Sequence, residues 1–361
     1  MQLPVLPPVS PMLARAVPAV PQPDAVTGGL LYEPKWDGFR CLVFRDGDEV
    51  VLGSRGEKPL TRYFPEVVAA VLEHLPERCV VDGEIVLRAG EPGAEHLDWD
   101  SLTQRIHPAA SRVQLLAAST PASFVAFDLL ALGGQDLRPL PFAERRARLE
   151  AALAGAGAPV HLTRVSRDAA EAARWLQEFE GAGLDGVVAK PLTAPYAEGK
   201  RVMLKVKHAR TADVVAVGYR VHKSGSGIGS LLVGLHDADG QLRQVGAVSA
   251  FTTAVRASLE AELQPLVARD ADGEVLRGVG EPNRFAPAGK DTSWVVLRPE
   301  LVLEVRYDHL EGDRFRHVAQ LARWRPDRDP ASCTFEQLDR PVAYDLDRVL
   351  TGGAGSAGTG R

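Results

Sequence analysis

The sequence predicts an α+β protein in two parts: a mixed strand-and-helix region through residue 209, then a small β-barrel. Three observations predict it. Up to Lys190, apolar runs bounded by charges and turns alternate with stretches of helical pattern. After Arg210 the texture changes to short strands separated by Gly-rich turns, at 213–219, 230–236, 241–248 and 301–307, the cadence of an OB-fold barrel. The 361 residues are 45% hydrophobic and 25% charged, enough apolar content for two or three domains.

The elements follow in order. The Pro-rich start, through Pro23, reads as an extended arm lying on a surface, because proline removes backbone donors and restrains its predecessor. Strands are expected at 40–45, 50–54 and 80–87, with a helix at 65–75 between them. The runs 124–132 and 184–190 read as buried strands whose charged members need partners. Helices are expected at 141–154 and 168–180, the second capped by Asp168 and stopped by Gly181 or Gly183. The expected domains are 1–209, 210–346 and a disordered Gly-rich tail, 347–361.

Composition narrows the function. A net charge of −5 argues against indiscriminate nucleic-acid binding but allows a local basic face, and basic residues do concentrate at 200–210, 220–223 and 314–328. No apolar stretch is long enough to cross a bilayer, and residues 1–11 lack the basic start and apolar run of a signal peptide. A cytoplasmic location is expected. Cys41, Cys79 and Cys333 lie far apart, without CxxC spacing, and indicate neither a disulfide framework nor a zinc site.

Chemistry concentrates in a few segments. Lysine is scarce, found at positions 35, 58, 190, 200, 205, 207, 223 and 290, and Lys35 sits in Glu33-Pro34-Lys35-Trp36-Asp37-Gly38-Phe39-Arg40. A lysine becomes a nucleophile when burial, a nearby cation or a metal helps it lose its proton; an exposed lysine beside an Asp-Gly turn is the competing reading. Ser54-Arg55-Gly56 offers a guanidinium to a phosphate or ribose, or is a surface turn. Asp82-Gly83-Glu84 puts carboxylates among apolar neighbours, where they need a partner or a metal. Phe127 stacks on a base or belongs to the core. Asp185 and Lys190 are five positions apart and point to opposite faces of an ideal strand, so a twist, a bulge at Gly186 or an end position must bring both to one site. Lys205 and Lys207, at a period of two, share one face and suit an anionic guest such as a triphosphate, or guard an edge strand. Gly225-Ser226-Gly227-Ile228-Gly229 is not a dinucleotide loop, because an apolar strand pattern follows it where a helix is required.

In this order the segments resemble the motifs of ATP-dependent DNA ligases, within the covalent nucleotidyltransferase superfamily, over about 11–341. The compact actinobacterial ligase C type is the nearest likeness. Lys35-Trp36-Asp37-Gly38 matches the nucleophile motif, and Arg325-Pro326-Asp327-Arg328 the closing motif of the OB-fold. Two positions depart from the family: Asp185 stands for its usual Glu, and Arg328 for its usual Lys.

The resemblance implies a nucleotidyltransferase (ATP-grasp-like adenylation) domain followed by the OB-fold. It implies that Lys35 attacks ATP and carries AMP, which passes to the 5′-phosphate of nicked duplex DNA before the strand is sealed. Implied cofactor contacts are Glu33, Trp36, Arg40, Arg55, Glu84, Phe127, Lys190, Lys205, Lys207, Arg325, Asp327 and Arg328. Asp185, with Glu84, would place Mg²⁺ or Mn²⁺, and Arg220 and Lys223 would hold DNA. The enzyme is expected to be a monomer in the nucleoid, with a repair polymerase or primase as partner. An RNA ligase or GTP-dependent capping enzyme of the same fold is the nearest rival, and a non-catalytic DNA-binding module the next.

Overall fold

Alternating apolar residues build the first sheet. In the computed structural model, Glu49–Ser54, Phe39–Asp46, Arg78–Ala89, Ala122–Leu132 and Gln135–Asp136 lie in that order, with Val160–Leu162 parallel to Ala122–Leu132 and His96–Leu97 against Arg78–Ala89. The structure describes residues 1–56, 58–208, 210–222, 225, 227–249, 251–279, 293–308, 310–338 and 342–351. It forms two units, Met1–His208 with Pro341–Arg361, and Ala209–Arg340.

In the first unit, Ala122–Leu132 is buried on both faces, as its unbroken apolar run requires. Its one acid, Asp128, receives both forks of Arg145 at 2.8 and 2.9 Å. Arg145 also donates to the Leu140 and Ala194 carbonyls, so the buried charge is fully hydrogen-bonded. The helix Pro65–His74 has Pro at its first turn, and Asp168 caps Ala169–Glu178 by accepting from the Ala170 amide. The chain leaves the second of these helices through a short 3₁₀ turn that ends at Gly183, φ +85°. A second sheet, ordered Leu13–Ala16, Arg201–Val206, Val187–Pro191 and Leu30–Pro34, completes the unit.

Two expectations are corrected. The N-terminal arm is extended but not superficial: Leu3, Val5, Val9 and Met12 are buried against Leu42, Phe44, Val80 and Met203, because each proline-spaced apolar side chain finds a cleft. The tail expected to be disordered from 347 instead holds a helix, Leu346–Thr351, and residues 342–351 belong to the first unit rather than to the barrel. Leu346 and Val349 enter the core beside Leu97, Trp175 and Phe179, and Asp347 pairs with Arg88 at 3.2 Å. The amphipathic spacing of these two residues was outweighed in the sequence by the glycines that follow; residues 352–361 lie outside the described residues.

Gly181 seats this return. A Cβ there would lie 1.8 Å from the Val342 carbonyl oxygen, which backbone cannot relieve without moving. Gly181→Ala is therefore expected to lift the segment and cost about 2 kcal/mol, read as a lowered midpoint in denaturant with the slope unchanged. An unchanged midpoint sinks this account of the segment.

In the second unit one long strand, Arg210–Val221, organises the barrel. Its first half pairs with Val302–Tyr307 and its second with Ser293–Val296, while Ile228–His236 lies along its other edge. Register shifts between Ala216 and Gly218 bend it, and Leu242–Val248 and Gln320–Trp324 extend the sheet around one core of Val214, Ala216, Leu231, Val233, Leu235, Val245 and Val305. This is the expected OB-fold. The strand Ile228–His236 follows the rejected glycine segment, as anticipated.

Candidate active site

Lys35 follows the strand Leu30–Pro34, and a bulge in the facing strand sets what it meets. The Lys35 amide donates to the Gly186 carbonyl at 2.8 Å, while the Lys35 carbonyl accepts from the Asp185 amide at 3.0 Å. Two residues thus oppose one, the alternation is reversed, and Asp185 turns to the face of Lys35. Gly186 makes this possible: its φ is +131°, and a Cβ would lie 2.0 Å from the Val206 carbonyl oxygen.

Lys35 Nζ lies 2.5 Å from Asp185 Oδ2, and Lys207 Nζ lies 3.1 Å from the same oxygen. Burial pushes the Asp185 carboxyl up, but the Lys35 and Lys207 ammonium groups outweigh it and hold the group below its ordinary 3.8. Lys205 pairs across from Val188, and Val188 across from Glu33, so Lys205 and Glu33 share the face of the sheet that leads to Lys35. Burial, then Lys35 and Lys207, lower the pKa of the Lys205 amine, and exposed Arg55 adds to this. Three amines face one carboxylate, a surplus of positive charge suited to polyphosphate.

A second group surrounds Glu33. Its Oε1 lies 2.6 Å from Lys190 Nζ, while its Oε2 is buried without a hydrogen-bond partner among the described residues. Burial raises the Glu33 carboxyl, with Lys190 opposing. Lys190 is 2% exposed, donates to the Phe127 carbonyl and lies 4.5 Å from the Phe127 ring centroid. Its ammonium is spent on holding Glu33. The bulge therefore gives Asp185 and Lys190 separate partners on the same strand, Lys35 for one and Glu33 for the other.

A third group lies on the larger sheet. Arg40 binds Asp82 through Nε and Nη2 at 2.5 and 2.6 Å, and Tyr196 donates to Asp82 at 2.6 Å. The Arg40 guanidinium lies 4.5 Å from the Phe127 ring centroid and pairs in register with Glu84. Phe127 occurs where the strand register slips between Asp82 and Gly83, which turns it toward these cations. Burial pushes the Glu84 carboxyl up to about 7, with Arg40 and Lys35 opposing. Asp82 and Tyr196 were not among the expected site residues. The zero exposure of Asp82 was signalled by its apolar neighbours; nothing local marked Tyr196.

Trp36 needs correction. Expected against the nucleotide, it is buried in the core, with Nε1 donating to Thr163 at 2.8 Å, because it faces away from its neighbour Lys35.

The closing motif lies in the barrel unit. Arg325 donates through Nη1 to both oxygens of Asp213 at 2.9 Å, and through Nε and Nη2 to Asp327. The Asp327 hydrogen bond from Arg325 holds that carboxyl down at about 2. Arg328 Nε lies 3.3 Å from Asp213. Asp213 is a third residue the sequence reading missed. Arg220 is half-buried on the strand Arg210–Val221, while Lys223 lies outside the described residues.

Among the described residues no three His, Cys, Asp or Glu side chains gather as a metal cage. The donor set fits instead an ion that takes one or two carboxylates and completes its shell with phosphate oxygens and water. Asp185 and Glu84, both within the electrostatic reach of Lys35, are the carboxylates that would supply such a shell.

A lysine beside a carboxylate on a cation-lined sheet face, in a unit followed by an OB-fold, defines a nucleotidyltransferase of the adenylating class. The family profile "ATP dependent DNA ligase domain" matches residues 11–207, and "ATP dependent DNA ligase C terminal region" matches 224–328. The chain belongs to the ATP-dependent DNA ligase family. DNA ligase C2 of Mycolicibacterium smegmatis is 59% identical over 94% of this chain and 97% of its own length. DNA ligase C of Mycobacterium tuberculosis is 57% identical over 98% and 99%. A solved structure from the Lig E DNA ligases aligns with TM-score 0.54 at 16% identity, over 88% of this chain and 99% of that one, a likeness of fold alone. No described helix is long and apolar enough to cross a membrane.

Proposed function

We propose that the protein seals nicks in duplex DNA with ATP, through AMP carried on Lys35 and then on the 5′-phosphate of the nick. The observation that carries this reading is the pairing of Lys35 with Asp185 at 2.5 Å, inside a surplus of lysines. A lysine attacks only as the free amine. With its carboxyl held below 3.8, Asp185 acts as an orienting counter-ion to Lys35 and not as a base at neutral pH.

The other residues have roles that follow from their partners. Glu33 Oε2, buried and unpartnered, suits a donor on the adenine edge, and Lys190 fixes it. Phe127 stacks on the base, and Arg40 with Glu84 borders the ribose. Lys205, Lys207 and Arg55 take phosphate oxygens. As the Lys35 nitrogen bonds to the α-phosphorus, the bond to pyrophosphate breaks, and most of the catalysis is position and charge. Mg²⁺ or Mn²⁺ held by Asp185, with Glu84, would neutralise phosphate charge. In the barrel, Arg220 and Lys223 grip the DNA backbone without reading bases, so affinity falls steeply with salt. The enzyme acts as a monomer on nucleoid DNA in the cytoplasm, in repair, with a polymerase or primase supplying the nick.

The test is incubation with α-labelled ATP or GTP and Mg²⁺, followed by intact mass and by a nicked duplex. An AMP adduct from ATP alone and a sealed DNA strand are expected. A GMP adduct assigns a capping-type enzyme, sealing of RNA alone an RNA ligase, and no adduct the binding module.

A further inference from the structure

The closing motif is usually read as a set of cations, yet in this chain its charge is already balanced. Arg325 commits its donors to two carboxylates, Asp213 and Asp327. Its side chain is 17% exposed. Arg328 differs: its Nε lies 3.3 Å from Asp213 as an ion pair but is buried without a hydrogen-bond partner among the described residues, and its side chain is 37% exposed. The guanidinium of Arg328, paired with Asp213 by charge without a hydrogen bond at Nε, is therefore the part of the motif left to bind an anion.

Asp213 is itself held firmly. The Gln337 side chain brackets its backbone, accepting from the Asp213 amide at 2.8 Å and donating to its carbonyl at 2.9 Å. Across the sheet Asp213 pairs with Glu304, whose carboxylate is taken by Arg323 at 2.6 Å. The motif turn is equally fixed: Pro326 sits at its second position, and the Arg328 amide donates to the Arg325 carbonyl at 3.2 Å. A rigid carboxylate thus meets two arginines from one rigid turn.

We propose that Asp213 is a positioning residue of the adenylation step: it neutralises Arg325 and holds the Arg328 guanidinium beside it by charge, so that Arg328 keeps its donors for the departing diphosphate. This rests on the reading that the closing motif serves the first step. A guanidinium placed by charge and not by hydrogen bonds keeps its planar set of donors for bidentate contact with phosphate oxygens, which explains how Arg replaces the family's usual Lys here. Without Asp213 the two arginines repel and Arg328 loses its aim.

The experiment compares the full chain with Asp213→Asn, Asp213→Glu, Arg328→Ala and the Asp213→Asn/Arg328→Ala double variant. Three rates are read: AMP-adduct formation from ATP, its reversal by pyrophosphate, and sealing of a nick already carrying AMP. Asp213→Asn is expected to slow the first two together by about tenfold and to leave the third within about twofold. Asp213→Glu should recover part of the loss, and the double variant should be no slower than Arg328→Ala. Equal loss in all three rates, or additive losses in the double variant, overturns the proposal in favour of a structural role. Unimpaired adduct formation by Arg328→Ala overturns the underlying reading of the motif; a slow Arg328→Ala beside a normal Asp213→Asn overturns the role of Asp213 alone.

Discussion

Lys35→Ala is expected to lower AMP-adduct formation by at least about a thousandfold, and with it the sealing of an unmodified nick. No other amine can take over. Lys190 is enclosed with Glu33, and Lys205 and Lys207 sit on the neighbouring strand and its extension, where the Lys207 amine already leans on Asp185. Lys35→Arg should be as inactive, because a guanidinium stays protonated and cannot attack phosphorus. Mass spectrometry after incubation with ATP reads both variants. Sealing of a nick that already carries AMP should persist in them, which separates loss of the nucleophile from loss of the fold. An adduct on Lys35→Ala at the normal rate removes Lys35 from the mechanism.

Asp185→Ala is the second largest effect expected, a fall in adduct formation of about a hundredfold. The variant leaves Lys35, Lys205 and Lys207 together without their shared carboxylate, so Lys35 loses its orientation and a bound metal would lose a ligand. The stability cost should be only about 1 kcal/mol, since Lys35 and Lys207 keep access to water. The sign of its pH dependence follows from the depressed carboxyl. Stabilisation by Asp185 is present above its ordinary 3.8 and is lost as pH falls through the lower folded value, so wild type and variant should converge in acid. Chemical denaturation across pH 2–7 measures this range of about five units. A gap that widens on acidification contradicts the assignment, and normal adduct formation in Asp185→Ala shows that orientation by Asp185 is dispensable.

The sequence by itself determined what local chemistry controls. The period of two placed Lys205 and Lys207 together, the apolar run 124–132 demanded a partner for Asp128, Asp168 marked a helix start, and the parity conflict between Asp185 and Lys190 required a twist, a bulge at Gly186 or an end position, of which the structure has the bulge. Each of these depends on neighbours within a few residues, so each was readable. Trp36 was misplaced because its motif says which residues are near and not which way each one faces. The return of residues 342–351 to the first unit, the burial of the N-terminal arm, and the roles of Tyr196 and Asp213 were decided only by tertiary structure. Tyr196 meets Asp82 from 114 residues away, and Asp213 meets Arg325 from 112. Such partners are chosen by how sheets close and where space is left in their cores, and no local periodicity carries that information.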